Sequence, residues 1–192
     1  MTRHYHPAHR RQAIQWARSL MTRDFLVLDT ETTGLGAADQ IVEIAIIDQA
    51  GAARIHQRVK PSIPIPPAAT RIHGIRDMDI ADAPTFRQIY IKLSVLLAGQ
   101  IVVAYNMDFD WRLLQQTASV YNLPEPRVIK RDCAMKQYAR YKGERNPNGR
   151  NYRSHKLSIA AHREGLPARD AHTSLGDARM TLALLRKMAE TA

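Results

Sequence analysis

Phe25-Leu-Val-Leu28 is an apolar run with no place except a buried strand, and it closes on two carboxylates, Asp29 and Glu31. Residues two apart on a strand leave the same face, so the pair is expected side by side where the strand runs out. Two anions held that close repel each other unless a cation lies between them, and hard carboxylate oxygens suit Mg²⁺ or Mn²⁺. Thr32-Thr33-Gly34-Leu35 then turns the chain, and Gly34 lets the backbone pass close to a ligand. A metal site beside bare backbone is the expectation. Read alone, the pattern equally describes a strand that ends in acidic turn residues.

Two further segments carry carboxylates in comparable settings. Ile101-Val-Val-Ala104 reads as a second buried strand, and it leads through Tyr105-Asn106-Met107-Asp108-Phe109 to Asp110. Trp111, Leu113, Leu114, Ala118 and Tyr121 then recur at helical spacing, which puts Asp110 in the first turn of a helix and makes Asp108 a candidate N-cap. Taken by itself, an acid favoured by the helix dipole is the commoner role for a residue such as Asp110. The third segment, Ala171-His172-Thr-Ser-Leu-Gly-Asp177, opens a helix with Ala178, Leu182, Leu185 and Met188 on one side. His172 stands before or at the helix start and Asp177 about one turn further in, so the imidazole can overhang the carboxylate. An imidazole beside metal-bound water can remove its proton.

In order and spacing the three segments resemble the exonuclease motifs of the DnaQ-like DEDDh family: D-x-E-T-T-G from Asp29 to Gly34, N-x-x-F-D from Asn106 to Asp110, and H-x-x-x-x-D from His172 to Asp177. The likeness in texture runs from about Asp24 to about Met188 and includes Ile72-His73-Gly74-Ile75. It implies that Asp29, Glu31 and Asp177 hold a pair of Mg²⁺ or Mn²⁺ ions, that Asp110 completes the acidic set, and that His172 activates the attacking water. It also implies a pocket for the terminal nucleotide lined by Thr33, Gly34, Leu35, Asn106 and Phe109, with Leu35 as a wedge against the last base and His73 a weaker candidate. The sister subfamily has tyrosine four residues before its last aspartate, where this chain has Thr173. Many relatives carry His-Asn where this chain has Tyr105-Asn106, which bears on substrate contacts near Tyr105 and not on the carboxylates.

The implied activity is 3'-to-5' exonuclease action on single-stranded or frayed DNA ends, releasing nucleoside 5'-monophosphates. Two alternatives stay open: an exoribonuclease of the oligoribonuclease or ribonuclease T kind, and a nucleic-acid-binding polymerase accessory protein without turnover. The implied fold is α/β and ribonuclease H-like, a mixed five-stranded sheet flanked by helices.

The rest of the chain is compatible with that picture. Its 192 residues suit a basic arm over residues 1–23, with an extra helix near Ala8 to Leu20, and one domain over 24–192. A single cysteine, Cys133, excludes an intramolecular disulfide and fits a reduced cytoplasmic setting. No apolar stretch approaches the ~20 residues of a membrane span, so a soluble intracellular protein is expected. The formal charge is +10 and uneven. The arm carries five arginines and no acid, and residues 127–156 hold ten basic side chains against Asp132 and Glu144. Such a surface beside a cation-loaded pocket attracts a polyanion, for which nucleic acid is the natural candidate. Arg140-Tyr141-Lys142, Arg145 and Arg150-Asn151-Tyr152-Arg153 alternate charge with aromatics, a pattern suited to pairing phosphates while bases stack. His4, His6 and His9 could chelate a metal, although a fraying terminus is the commoner role for such a stretch.

Between the motifs, Ile41 to Ile47 and Ala53 to Val59 read as strands joined by a turn at Asp48 to Gly51, and residues 61–67 as an extended proline-rich connector. A helix opened by Pro84 and ended by Gly99 presents Phe86, Ile89, Tyr90, Leu93, Leu96 and Leu97 to the core. Val128-Ile129 reads as a short edge strand before a helix through Tyr138, and Leu157 to Glu164 as a further helix closed by Gly165.

Overall fold

In the computed structural model, which describes residues 7–167 and 172–192, the strand that opens the first motif lies in the middle of the sheet. It is β1 (Leu26–Thr32), and the others are β2 (Ile41–Asp48), β3 (Ala53–Arg58), β4 (Ile101–Ala104) and β5 (Lys130–Cys133). They lie in the order β3-β2-β1-β4-β5; β1, β2 and β3 are antiparallel, whereas β4 and β5 run parallel to β1. The expected mixed five-stranded sheet is present. Its hairpin turn is closed by Asp48, whose carboxylate accepts from the Ala50 and Ala52 N–H groups at 3.0 and 2.9 Å, with Gly51 at φ +93°.

Period-two alternation divides the core between the two faces. Val27, Ala45, Ile47 and Val103 point to one side, where α1 (Pro7–Met21), α5 (Ala134–Lys142), α6 (Leu157–Arg163) and α7 (Ser174–Glu190) pack. Leu28, Ile44, Ile46, Val102 and Ala104 point to the other, against α3 (Phe86–Leu97) and α4 (Met107–Val120). Each fully buried Leu, Ile or Phe in these layers contributes about 1.5–3 kcal/mol. The extra N-terminal helix is part of this packing: Ala13, Ala17 and Leu20 are buried in the same layer as α7. No helix among the described residues is long and apolar enough to cross a membrane.

Several boundaries differ from the sequence reading, each for an identifiable reason. β1 runs on through Asp29 and Glu31, because its ladder to β2 continues to Thr32↔Ile41. The edge strand is Lys130–Cys133 instead of Val128-Ile129; only its pairing with Ile101 to Ala104 reveals it, since Lys130 and Arg131 are exposed. The proline-rich connector ends in a helix, α2 (Pro67–His73), with proline in its first turn, followed by a 3-10 turn at Asp77–Ile80. Ile65, Ala69, Ile75 and Ile80 from this region form a small apolar cluster with Val42. The N-cap of α4 is Asn106, not Asp108, which lies in the first turn. Pro84 precedes the true N-cap of α3, Thr85, whose N–H donates to Gln88 Oε1 at 2.7 Å. His4 and His6 lie outside the described residues, as do 168–171, the approach to His172.

Candidate active site

β1 and β4 pair only from Leu26 to Leu28 against Val102 to Ala104. Beyond that point the chain of β4 has turned into α4 while β1 continues, so Asp29 to Thr32 lie past the carboxyl end of β4. Open sheets bind ligands at this kind of place.

Alternation sorts these residues. Asp29 and Glu31 share the face of Val27, towards α7, and Thr30 shares the face of Leu28, towards α4. Asp177, in the first turn of α7, meets the first pair: one oxygen each from Asp29, Glu31 and Asp177 lie within 4.8 Å of one another. On the other side the Thr30 hydroxyl donates to Asp110 Oδ1 at 2.8 Å, and Asp110 is 4% exposed. Asp110 is therefore beside this triad and outside its tightest grouping, acting on Asp29 through its charge.

Burial first, and then mutual repulsion, hold these carboxyls above their usual range. Asp29 is raised by loss of water and by Asp110, Asp177, Glu31 and Glu43. Glu31 is pushed to about 8 by burial and then by Asp177, Glu43 and Asp110. Asp110 is pushed to about 7 by burial, against the opposing hydrogen bond from Thr30. Burial raises Asp177 too, while the His172 backbone N–H, which donates to it, and the His172 ring pull it down. Among the described residues, no cation is one of the groups acting on Asp29 or Glu31. Crowded hard oxygens with no neutralising partner are what a divalent cation requires, and the residues fit one.

Carboxyls whose folded values lie above their unfolded ones hold extra protons in the fold, so their contribution is intact below about pH 4 and is lost as the pH rises through about 7 to 8. The metal-free protein should therefore melt lower near pH 8 than near pH 5, by a margin that narrows in Glu31→Gln and on addition of Mg²⁺. Thermal denaturation in EDTA at the two pH values measures it.

A fifth carboxylate, Glu43, carries no motif that marks it in the sequence. It lies on β2 directly across from Glu31 and is 5% exposed. Its Oε2 accepts from both the backbone N–H and the hydroxyl of Ser174, at 2.9 and 2.7 Å. Ser174 opens α7, so Glu43 fixes the start of the helix that delivers Asp177. On the other side, Glu43 Oε1 is 3.5 Å from His56 and 3.8 Å from Arg58. Glu43→Ala leaves a buried N–H and hydroxyl unpaired, and should cost about 1–3 kcal/mol in urea unfolding.

His172 is exposed and left-handed, φ +66°, a conformation uncommon outside glycine, asparagine and aspartate. The sharp turn there lets its backbone N–H reach Asp177. Thr173 caps α7, its side chain accepting from Gly176 N–H at 3.1 Å.

The loop after β1 is built differently from the sequence reading. A Cβ on Gly34 would lie 2.6 Å from Asp39 Oδ2, so what passes close to Gly34 is the Asp39 carboxylate. That carboxylate accepts from the Thr33 hydroxyl at 2.7 Å and from Gly36 N–H at 2.6 Å. Thr33, 1% exposed, also accepts from Gln40 N–H at 3.0 Å, so its side chain shapes the loop from within. Leu35 is 78% exposed, which removes it from the core. Arg112 holds this loop from α4, donating to the Leu35 and Gly36 carbonyls at 3.1 Å each. Asn106 and Phe109 are half-buried at the start of α4, with the Arg112 guanidinium 5.4 Å from the Phe109 ring centre. His73 accepts from Ile75 N–H through Nδ1 at 3.0 Å, which leaves Nε2 to donate to the Thr32 carbonyl at 3.2 Å. It ties the connector to the end of β1. Tyr105 turns away, donating to the His155 carbonyl at 2.7 Å.

Known proteins share this chain's sequence pattern and fold. Residues 26–185 match the family model described as an exonuclease domain, RNase_T. The chain is 41% identical over 182 residues to a protein of Escherichia phage 186 described as an uncharacterized exonuclease, covering 92% of this chain and 93% of that one. It is 32% identical to the DNA polymerase III subunit epsilon of Treponema pallidum, over 85% of this chain and 75% of the relative. Among solved structures, the nuclease domain of 3'hExo, a DEDDh family member bound to rAMP, superposes with a TM-score of 0.68 at 17% identity, covering 88% and 94% of the two chains. Exonuclease I superposes with a TM-score of 0.71 at 18% identity, over 87% of this chain and 40% of its own. The fold common to these is ribonuclease H-like.

Proposed function

The chain belongs to the DnaQ-like exonuclease family, and we propose that it is a metal-dependent 3'-to-5' exonuclease that hydrolyses single-stranded or frayed DNA ends to nucleoside 5'-monophosphates. The observation that carries this reading is the convergence of Asp29, Glu31 and Asp177 within 4.8 Å, with His172 at the margin of the cluster. In it Asp29, Glu31 and Asp177 hold Mg²⁺ or Mn²⁺, with Asp110 completing the negative set. A pair of such ions supplies the charge that stabilises the entering and departing oxygens at phosphorus.

The chain's own groups do the remainder. His172 takes the proton of the attacking water, and its exposure keeps the imidazole in exchange with solvent for the next cycle. Leu35, held outwards on a loop pinned by Arg112, meets the terminal base, while Asn106 and Phe109 flank the sugar. Thr33 and Gly34 act indirectly, by fixing the shape of that loop around Asp39. The basic surface draws the strand in and weakens its hold as salt rises. A polymerase III epsilon subunit among the relatives supports DNA as substrate and a place for this chain beside a polymerase. The 3'hExo domain bound to rAMP is the observation that favours the exoribonuclease reading.

Matched single-stranded DNA and RNA oligomers, labelled at the 5' end and incubated with and without Mg²⁺, test the proposal. Shortening of the labelled DNA from its 3' end only when Mg²⁺ is present, and more slowly for RNA, is expected. No Mg²⁺-dependent release of mononucleotides from either polymer would overturn it.

A further inference from the structure

Arg140, on the exposed side of α5, lines two grooves at once. The first, about 510 Å³, lies between α4, β5 and α5 and begins at the α4 turn that carries Asp110, with Met107 and Asp108 in its wall. Arg112, Arg131, Lys136 and Arg140 supply its positive charge. The second, about 270 Å³, lies between α1 and the loop over residues 144–153, where His9, Arg145, Arg150 and Tyr152 join Arg140. Lys136 and Arg140 are four residues apart on α5 and both exposed, so the helix carries charge from one groove into the other in a single turn.

The balance of charge along this strip is positive. In the first groove the two acids are engaged, Asp108 with Lys136 at 2.5 Å and Asp132 with Lys130 at 2.9 Å. No carboxylate lines the second groove among the described residues. The guanidinium groups of Arg140 and Arg150 are exposed, and neither has a hydrogen-bonded or ionic partner among the described residues. Arg145 is preset, stacked 4.2 Å from the centre of the Tyr152 ring, whose hydroxyl is 2.6 Å from His9 Nδ1.

The aromatics interleaved here are engaged by neighbouring side chains. Tyr141 is 5% exposed, between Arg10 and the Tyr138 ring, and Tyr152 has one face under Arg145. They anchor the loop and α1 to each other, and what remains outward is cationic. Contacts of that kind recognise phosphates and not bases.

We propose that the strip from Lys136 through Arg140 to Arg145 and Arg150 is a second binding site, which takes the sugar-phosphate backbone of the nucleic acid away from the carboxylate cluster. This rests on the reading that the cluster acts on the end of the same strand. One wall comes from α1, which lies outside the residues matched by the family model. It holds a long strand on the enzyme between successive cleavages and does not enter the chemistry.

The full-length double variant Arg140→Gln, Arg150→Gln tests this, with an unchanged melting temperature as the check on folding. Binding is measured in EDTA across a salt series, to a labelled single-stranded oligomer of about 16 nucleotides and to a trinucleotide. The expected result is a salt dependence flatter by about 1.4 in log–log slope for the long strand, two phosphates at about 0.7 each, with trinucleotide binding unchanged. With Mg²⁺, KM for the long strand rises while kcat and trinucleotide cleavage stay the same. An unaltered slope, or equal weakening of long and short strands, overturns the proposal. Since binding is read without a divalent ion, failure of the exonuclease reading shows up separately, as a wild type that binds by length but releases no nucleotide.

Discussion

Asp29→Asn should lower turnover by about 10³ and at the same time raise the melting temperature of the metal-free protein near pH 8. The two effects have one origin. Asp29 is the most crowded of the carboxyls, pressed by burial and by four acidic neighbours, with no cation acting on it among the described residues. In the absence of metal that charge works against the fold, and an amide of the same shape removes the repulsion while keeping the packing. With the carboxylate gone the cluster holds a divalent ion poorly, and losing about 4 kcal/mol of charge stabilisation in the transition state corresponds to about a thousandfold. Thermal denaturation in EDTA and with added Mn²⁺ separates the two: the variant should be the more stable without metal and the less responsive to it. A variant that loses stability in EDTA would place Asp29 in a structural network instead.

His172→Asn should reduce kcat by about 10² or more with KM little changed. Asparagine tolerates the left-handed backbone at φ +66°, so the turn survives, and the backbone N–H that reaches Asp177 is retained. What is removed is the ring that accepts the proton. If substrate binding collapses while turnover per bound strand persists, His172 orders the site and is not its base.

Much of this site could be read directly from the chain, because its decisive spacings are short. Asp29 and Glu31 share a face by the two-residue period of a strand, and His172 and Asp177 meet within a turn of α7. The alternation of strands and helices likewise follows from Val, Ile and Leu patterns at Ile41 to Ile47 and Ile101 to Ala104. Contacts between distant segments were not legible. Glu43 looks like a lone charge in an apolar strand, and its partner Ser174 is 131 residues away. Lys130–Cys133 has no apolar period and becomes a strand only because β4 offers an unpaired edge. In the sequence Gly34 reads as room for a ligand, whereas Asp39, five residues on, occupies that space. Tyr141 and Tyr152 look like stacking residues in the sequence; α1, which covers them, comes from more than 100 residues earlier in the chain.

Titration calorimetry with Mn²⁺ tests the central claim most directly, using the wild type and Asp177→Asn, whose side chain sits at the mouth of α7 with the other two. Saturable uptake by the wild type, lost or greatly weakened in the variant, is the predicted result. A wild type that takes up no manganese, or a variant that takes it up equally well, would contradict the account.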